Sequence, residues 1–193
     1  MTNQSTLAEA IKMVLPHVSR DTTLPSLNAI HIYPDAVAAT DRYTMARVKI
    51  ETGIKAGEVL AIPLSIAHLG IEAIDGRQLT LTMPRAIKRL GIKDMQWATV
   101  TCPDISGDLP EYLRLLDEFE PCEDGTAPTA HLISMEHLRK YSQRHFPNQG
   151  LRMYHAVKLE SNKQGPLKPL RATMNAYPDF DSLIIPQRFG PTS

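Results

Sequence analysis

Residues Leu24 to Glu51 read LPSLNAIHIYPDAVAATDRYTMARVKIE, and their pattern decides the fold. Asn28 to Tyr33 alternates, with Ile30 and Ile32 on one face. Pro34 and Asp35 mark a turn. Ala36 to Thr40 makes a second short strand. From Thr44 to Glu51, Met45, Arg47 and Lys49 lie opposite Ala46, Val48 and Ile50. Strands joined by such tight turns run antiparallel, because parallel neighbours need a long crossover. A doubly wound parallel fold is therefore not expected.

Upstream, Thr6 and Glu9 stand at the spacing of a capping box. Leu7, Ala10, Ile11, Val14 and Leu15 then form one apolar helical stripe, with Glu9, Lys12 and Met13 off it. Pro16 ends or kinks this helix. Downstream the pattern recurs. A strand over 59–63 precedes a helix capped by Ser65 and running to Ile74, weakened at Gly70 by roughly 1 kcal/mol. Strands over 77–84 and 97–102 follow, with a basic stretch (Arg85, Lys88, Arg89 and Lys93) between them. A proline-punctuated acidic connector follows, ordered through Leu109 to Phe119 by its apolar residues and looser from Glu120 to Thr129. A third round begins with a strand at 131–133. Ser134 caps a helix from Met135 to His145, with Leu138, Tyr141, Ser142 and His145 inward and Arg139, Lys140, Gln143 and Arg144 outward. Strands are expected over 151–160, 169–174 and 182–187. The architecture is a strand–helix–three-strand unit repeated about three times, an α+β fold with helices on one face of antiparallel sheets.

The 193 residues include 21 acidic and 21 basic side chains, which excludes a generic polycation but not a local basic face. Apolar runs fall short of the ~20 residues that span a bilayer, and the N-terminus has no secretory pattern. Cys102 and Cys122 form no metal or redox motif, so two free thiols in the cytosol are expected, with a disulfide the alternative.

Catalytic signatures are missing: no phosphate-binding glycine loop, no HExxH, no nucleophile elbow. His131, His137, His145 and His155 share no face with a carboxylate, so no metal is expected. Asp41 reads as a turn residue rather than a general base. The basic residues say more. Arg139, Lys140 and Arg144 share one helix face, Lys12 and Arg20 lie on or just after another helix, and Arg42 sits in a turn beside it. Such groups suit phosphate contacts, which need charge and reach but no base-specific geometry. A solvated helix face would carry the same charges.

The run LAEAIKMVLPHVSRDTTLPSLNAIHI, followed by AVAATDRYTMARVKI, resembles the opening domain of the bacterial beta sliding clamp (the DNA polymerase III beta subunit). Thr23-Leu24-Pro25, Leu27-Asn28 and Thr40-Asp41 occupy that family's strand and turn motifs. GEVLAIPLSIAHLGIEAI looks like the second strand and helix of the same domain, and WATVTCPDISGDLPEYLRLL like its final strand and exit. The tail, ending in Ile185-Pro186-Gln187-Arg188-Phe189, is similar to the second half of the clamp's last domain.

This resemblance implies a DNA-clamp fold with a complete domain over 1–119, a linker over 120–129 and a half domain over 130–193. Family members have three domains of two units, and two copies close a ring around DNA. The expected function is that of a non-catalytic processivity factor holding a polymerase on double-stranded DNA without sequence preference. Lys12, Arg20, Arg42, Arg139, Lys140 and Arg144 become the candidates for the DNA-facing surface. Leu183, Ile185, Pro186 and Arg188 match one wall of the family's peptide-binding cleft, and would equally serve as a core strand. Expected partners are DNA, a polymerase, a clamp loader or other clamp-binding proteins, and further copies of the chain. No cofactor, metal or membrane is expected, and localisation is cytoplasmic at the nucleoid. The alternative is a clamp-fold interaction module that binds a replication protein or another clamp without encircling DNA.

Overall fold

The structure, a computed structural model, describes residues 6–81, 98–105, 109–122, 133–141, 157–164 and 168–186. Helix α1 (Leu7–Val14) opens it. Its capping box forms as expected: the Glu9 N–H donates to Thr6 Oγ1 at 3.3 Å, and the Thr6 N–H to Glu9 Oε2 at 2.8 Å. A 3-10 turn over Leu15–His17 follows, with Pro16 inside it.

Three strands come next: β1 (Ala29–Tyr33), β2 (Ala36–Thr40) and β3 (Thr44–Lys49). They pair antiparallel in sequence order, and β4 (Leu60–Pro63) adds to β1. The C-terminal segment supplies β8 (Val157–Glu160), β9 (Leu170–Met174) and β10 (Tyr177–Ile184). Strand β10 pairs antiparallel with β3, so one seven-stranded sheet runs β4-β1-β2-β3-β10-β9-β8. The segment expected as a half domain thus shares a sheet with the first unit. A second sheet holds β5 (Ile71–Asp75), β6 (Gln78–Leu81) and β7 (Thr99–Thr101).

Helix α1 packs against β2 and β3 of the large sheet and against β5 of the small one. Contact on both sides explains why Met13, expected off the apolar stripe, is fully buried beside Ala10, Ile11 and Val14. This core continues through Ile30, Ile32, Val37, Val48, Phe180 and Ile184. On the opposite face of the sheet, helix α3 (Pro110–Asp117) brings Leu116 against Ala38, Met45 and Leu183, with Phe119 just beyond it.

The helix expected from Ser65 to Ile74 is corrected. Helix α2 covers only Leu64–Ala67, after Pro63 as N-cap. Gly70 then takes φ 78°, a left-handed conformation that ends helices. Ile71 and Ile74 belong to β5, where the register against β6 shifts between Ile71 and Ala73. That bulge inserts one residue, so positions three apart reach the same core and imitate helical spacing. The last strand likewise starts earlier than expected, at Tyr177, because the turn falls on Asn175 and Ala176. The basic stretch at 85–93, the strand start at 131–132 and the helix beyond Tyr141 lie outside the described residues.

Candidate nucleic-acid interface

A cleft of ≈ 680 Å³ opens where the end of α1 meets the β2–β3 turn and helix α4 (Met135–Arg139). Each wall is set locally. Ser134 caps α4 by accepting the Glu136 N–H at 3.2 Å. In the loop after α1, the Ser19 N–H donates to the Leu27 carbonyl at 2.9 Å, and Asn28 Nδ2 to the Ser19 carbonyl at 2.6 Å. Asp21 Oδ1 accepts the Thr23 hydroxyl at 2.6 Å and the Thr23 N–H at 3.0 Å. The Thr23 hydroxyl and then its N–H hold the Asp21 carboxyl below the usual carboxylate range, and nearby Arg42 adds to this. The loop therefore offers Arg20 to the cleft on a fixed backbone.

The β2–β3 turn is held by Asp41. Its Oδ1 accepts the Tyr43 N–H at 3.1 Å, the Thr44 N–H at 2.7 Å and the Thr44 hydroxyl at 3.0 Å. Its Oδ2 accepts the Lys140 ammonium, which also donates to Thr44 Oγ1 at 2.7 Å. Burial alone would raise the Asp41 carboxyl; Lys140 and Thr44 outweigh it and hold the group below its ordinary value. Arg42, at the tip, adopts φ 79°, seldom taken by residues other than glycine. Its own N–H donates to Thr40 Oγ1 at 3.1 Å, and the bonds from Tyr43 and Thr44 to Asp41 close the turn around it.

Four of the six cations expected at a DNA-facing surface line this one cleft: Arg20, Arg42, Arg139 and Lys140. Asp21, Asp41 and Glu136 line it too, so the positive excess is small. Arg42 pairs with Asp21 across 3.4 Å, with both groups substantially exposed, a contact of little energetic value. Lys140 corrects its expected orientation: it turns inward and its side chain is only 11% exposed. Its part is to brace the turn. Arg20 and Arg139 are exposed and make no ion pair among the described residues. Lys12 is exposed on α1 but does not line the cleft. Arg144 lies outside the described residues.

An aromatic pair, not expected from the sequence, lies beside these cations. Tyr43 stacks on His137 with ring centroids 5.8 Å apart and an interplanar angle of 19°. His137 is buried; that burial, then the Lys140 charge, holds it below the ordinary histidine value and favours the neutral ring. Deeper in, the Tyr141 hydroxyl shares a hydrogen bond with Ser182 at 2.5 Å, and burial pushes its ionisation up. A turn aspartate followed by an arginine and an aromatic was the available sequence signal.

Beyond the β2–β3 turn is a small apolar cavity of ≈ 30 Å³, lined by Met45, Leu115, Pro169, Leu183 and Ile185 among others. Of the residues expected to meet partner peptides, Leu183 is buried beneath it and Ile185, 40% exposed, forms its lip. Pro186 is buried, and Arg188 lies outside the described residues. Among the described residues no three His, Cys, Asp or Glu groups gather to hold a metal, and no helix is long and apolar enough to cross a membrane.

No family model and no curated protein sequence matches the chain. Solved structures do. The C. crescentus beta sliding clamp superposes with a TM-score of 0.60 at 11% identity, over 95% of this chain and 64% of that one. The Helicobacter pylori beta clamp bound to a DNA ligase peptide gives 0.61 at 14% identity, over 95% and 63%. The DNA polymerase III beta subunit of Thermotoga maritima gives 0.59 at 12%, over 95% and 64%. The chain therefore has a sliding-clamp fold and spans less than two thirds of these proteins' length.

Proposed function

We propose that this chain works as a clamp-type processivity factor, holding a replication or repair protein on duplex DNA without catalysing a reaction. The observation that carries this reading is the convergence of Arg20, Arg42 and Arg139 on one cleft of a clamp fold. Charges on exposed, separately anchored side chains suit phosphates in any register, which sliding requires. The neutral net charge keeps long-range attraction weak, so binding depends on these local contacts. Lys12 and Arg144 would extend the surface, and Lys140 would hold the turn that presents Arg42. On this reading the protein is cytoplasmic, works at the nucleoid and needs no cofactor.

Encircling DNA calls for more than one copy, so the reading includes a homo-oligomer. It also includes partner proteins, a polymerase and a clamp loader among them. A peptide bound to the H. pylori clamp supports that part. The apolar cavity beside Leu183 and Ile185 is the surface we assign to such peptides, and Pro186 and Arg188, which follow in the sequence, are proposed to contribute to it.

Binding to nicked circular DNA, with light scattering for the assembly state, tests the reading. The expected result is an oligomer whose affinity falls with salt. Arg20→Ala with Arg139→Ala should reduce the slope of log K against log salt by roughly 2, about one for each lost phosphate contact. A strict monomer that fails to bind the circle would overturn it. The second reading, a clamp-fold module that binds another replication protein and not DNA, is favoured by the acidic partners of Arg42 and Lys140. It predicts pull-down of that protein, insensitive to salt and to Arg139→Glu.

A further inference from the structure

Tyr43 is 60% exposed, although it sits in a turn whose Asp41 and Thr44 side chains are hydrogen-bonded. Its backbone is fixed at both ends: the N–H donates to Asp41 Oδ1 at 3.1 Å, and the carbonyl accepts the Ile185 N–H at 2.8 Å. One side of its ring lies along His137, nearly parallel at 19°. The surrounding cleft presents Arg20, Arg42 and Arg139. A rigid, open aromatic ring adds little to contacts with duplex phosphates, because paired bases keep their faces stacked inside the helix. An unpaired base has a free face, and stacking it on an aromatic ring is favourable for every base type.

We propose that this cleft holds single-stranded DNA, with one unstacked base on the ring of Tyr43 and the flanking phosphates on Arg20 and Arg139. The proposal rests on reading the cleft as a nucleic-acid surface, and it adds a preference for an unpaired segment. His137 backs the platform from below; burial favours its neutral ring, so the platform brings no extra charge. Lys140 and Asp41 set the height of the turn, and with it the place of the ring. The acidic neighbours Asp21 and Glu136 limit how much phosphate charge the cleft attracts. Stacking therefore contributes a large share of the affinity, and binding is less dependent on salt than phosphate contacts alone would make it.

The test measures fluorescence anisotropy of the full chain with three labelled probes: an oligothymidylate, the same backbone with abasic sites, and a duplex of equal length. The expected result is that Tyr43→Ala weakens oligothymidylate binding about tenfold, while Tyr43→Trp keeps it. Both variants should bind the duplex and the abasic strand as the parent does. Because Tyr43 is mostly exposed, both should fold, and a thermal melt verifies this. Equal binding of the oligothymidylate by Tyr43→Ala and the parent overturns the stacking proposal. In that case duplex binding that still depends on Arg20 and Arg139 leaves the wider reading standing. If none of the probes binds at low salt, both readings fall. If Tyr43→Ala weakens all three probes equally, the residue shapes the cleft and does not stack a base, and the proposal is again overturned.

Discussion

On the face turned to α1, the central strands of the large sheet offer Ile30, Ile32, Val37, Ala39, Ala46, Val48, Phe180 and Ile184, all buried. On the face turned to α3, the alternate positions hold Ala38, Met45 and Leu183, but also Arg47, Asp181 and Arg171. Arg47 and Asp181 face each other across the β3–β10 pair. Arg47 donates to Asp117 Oδ1 at 2.7 Å and lies 3.5 Å from Asp181 Oδ2. Arg171 meets both Asp181 oxygens, at 2.9 and 3.0 Å, and lies over the Phe119 ring. The hydrogen bonds to Asp181 raise the already high ionisation point of Arg171 further. One face is therefore held by area removed from water, which changes gradually with side-chain volume. The other contains charges stable only with partners present, so its response to loss is abrupt. It also ties β10 to β3, because a one-residue slip would carry Asp181 to the apolar face.

The largest effect should come from breaking that network. Asp181→Ala leaves Arg47 buried without its cross-strand carboxylate, and a loss of about 3–5 kcal/mol is expected in urea unfolding. The double variant Arg47→Met with Asp181→Leu should recover part of it, since the apolar replacements remove the buried Arg47 charge, while the partly exposed Arg171 still lacks its carboxylate. Phe180→Ala on the other face should cost a similar amount, about 3–5 kcal/mol, with no partner change to recover it. A double variant as unstable as Asp181→Ala would erase the contrast between the faces.

The ion pair at the rim should matter less. Lys140→Met removes a charged hydrogen bond to a partly buried carboxylate, and a loss of about 2 kcal/mol is expected. Titration reads the same corner. Asp41 and His137 both bind protons more weakly folded than unfolded, so stability must fall as pH falls. The fall should begin below about 6.5, where His137 would be protonated in the unfolded chain, and resume below 3.8, where Asp41 would be. Unfolding midpoints from neutral to acid pH should lose the first step in His137→Gln and show a smaller second step in Asp41→Asn, where Asp21 still contributes.

The smallest effect is expected from Asp117→Ala. Its side chain is 63% exposed, so water can replace much of its contact with Arg47, and a loss under about 1 kcal/mol is expected in the same assay. A larger loss would show that the end of α3 is as much a part of the network as β10.

Much of the first unit was legible because its signals are local. The capping box at Thr6, the alternation from Ala29 to Lys49 and the turn at Asp41 depend on neighbours a few residues away, and all three form. The false helix at 65–74 shows where local signals fail. Ile71 and Ile74 reach one core through a bulge, and a bulge depends on a partner strand. Met13 and Lys140 fail for a related reason. Whether a helix position faces water depends on what else covers it, here β5 for one and the β2–β3 turn for the other. The candidate cations were recoverable as charges on helices and turns; the Tyr43–His137 stack, between residues 94 positions apart, was not.

By itself the sequence determined the element types of the first unit and the α+β class, because periodicity and turn chemistry act within a few residues; its likeness to sliding clamps rested on the order of the Thr23-Leu24-Pro25, Leu27-Asn28 and Thr40-Asp41 motifs. Tertiary structure alone decided that β10 joins β3, that Arg47 and Asp181 meet inside a sheet, and that Arg20, Arg42 and Arg139 share a cleft. Those are pairings between distant segments. Their partners are chosen by burial, charge compensation and backbone register together, and no short stretch of chain contains all three.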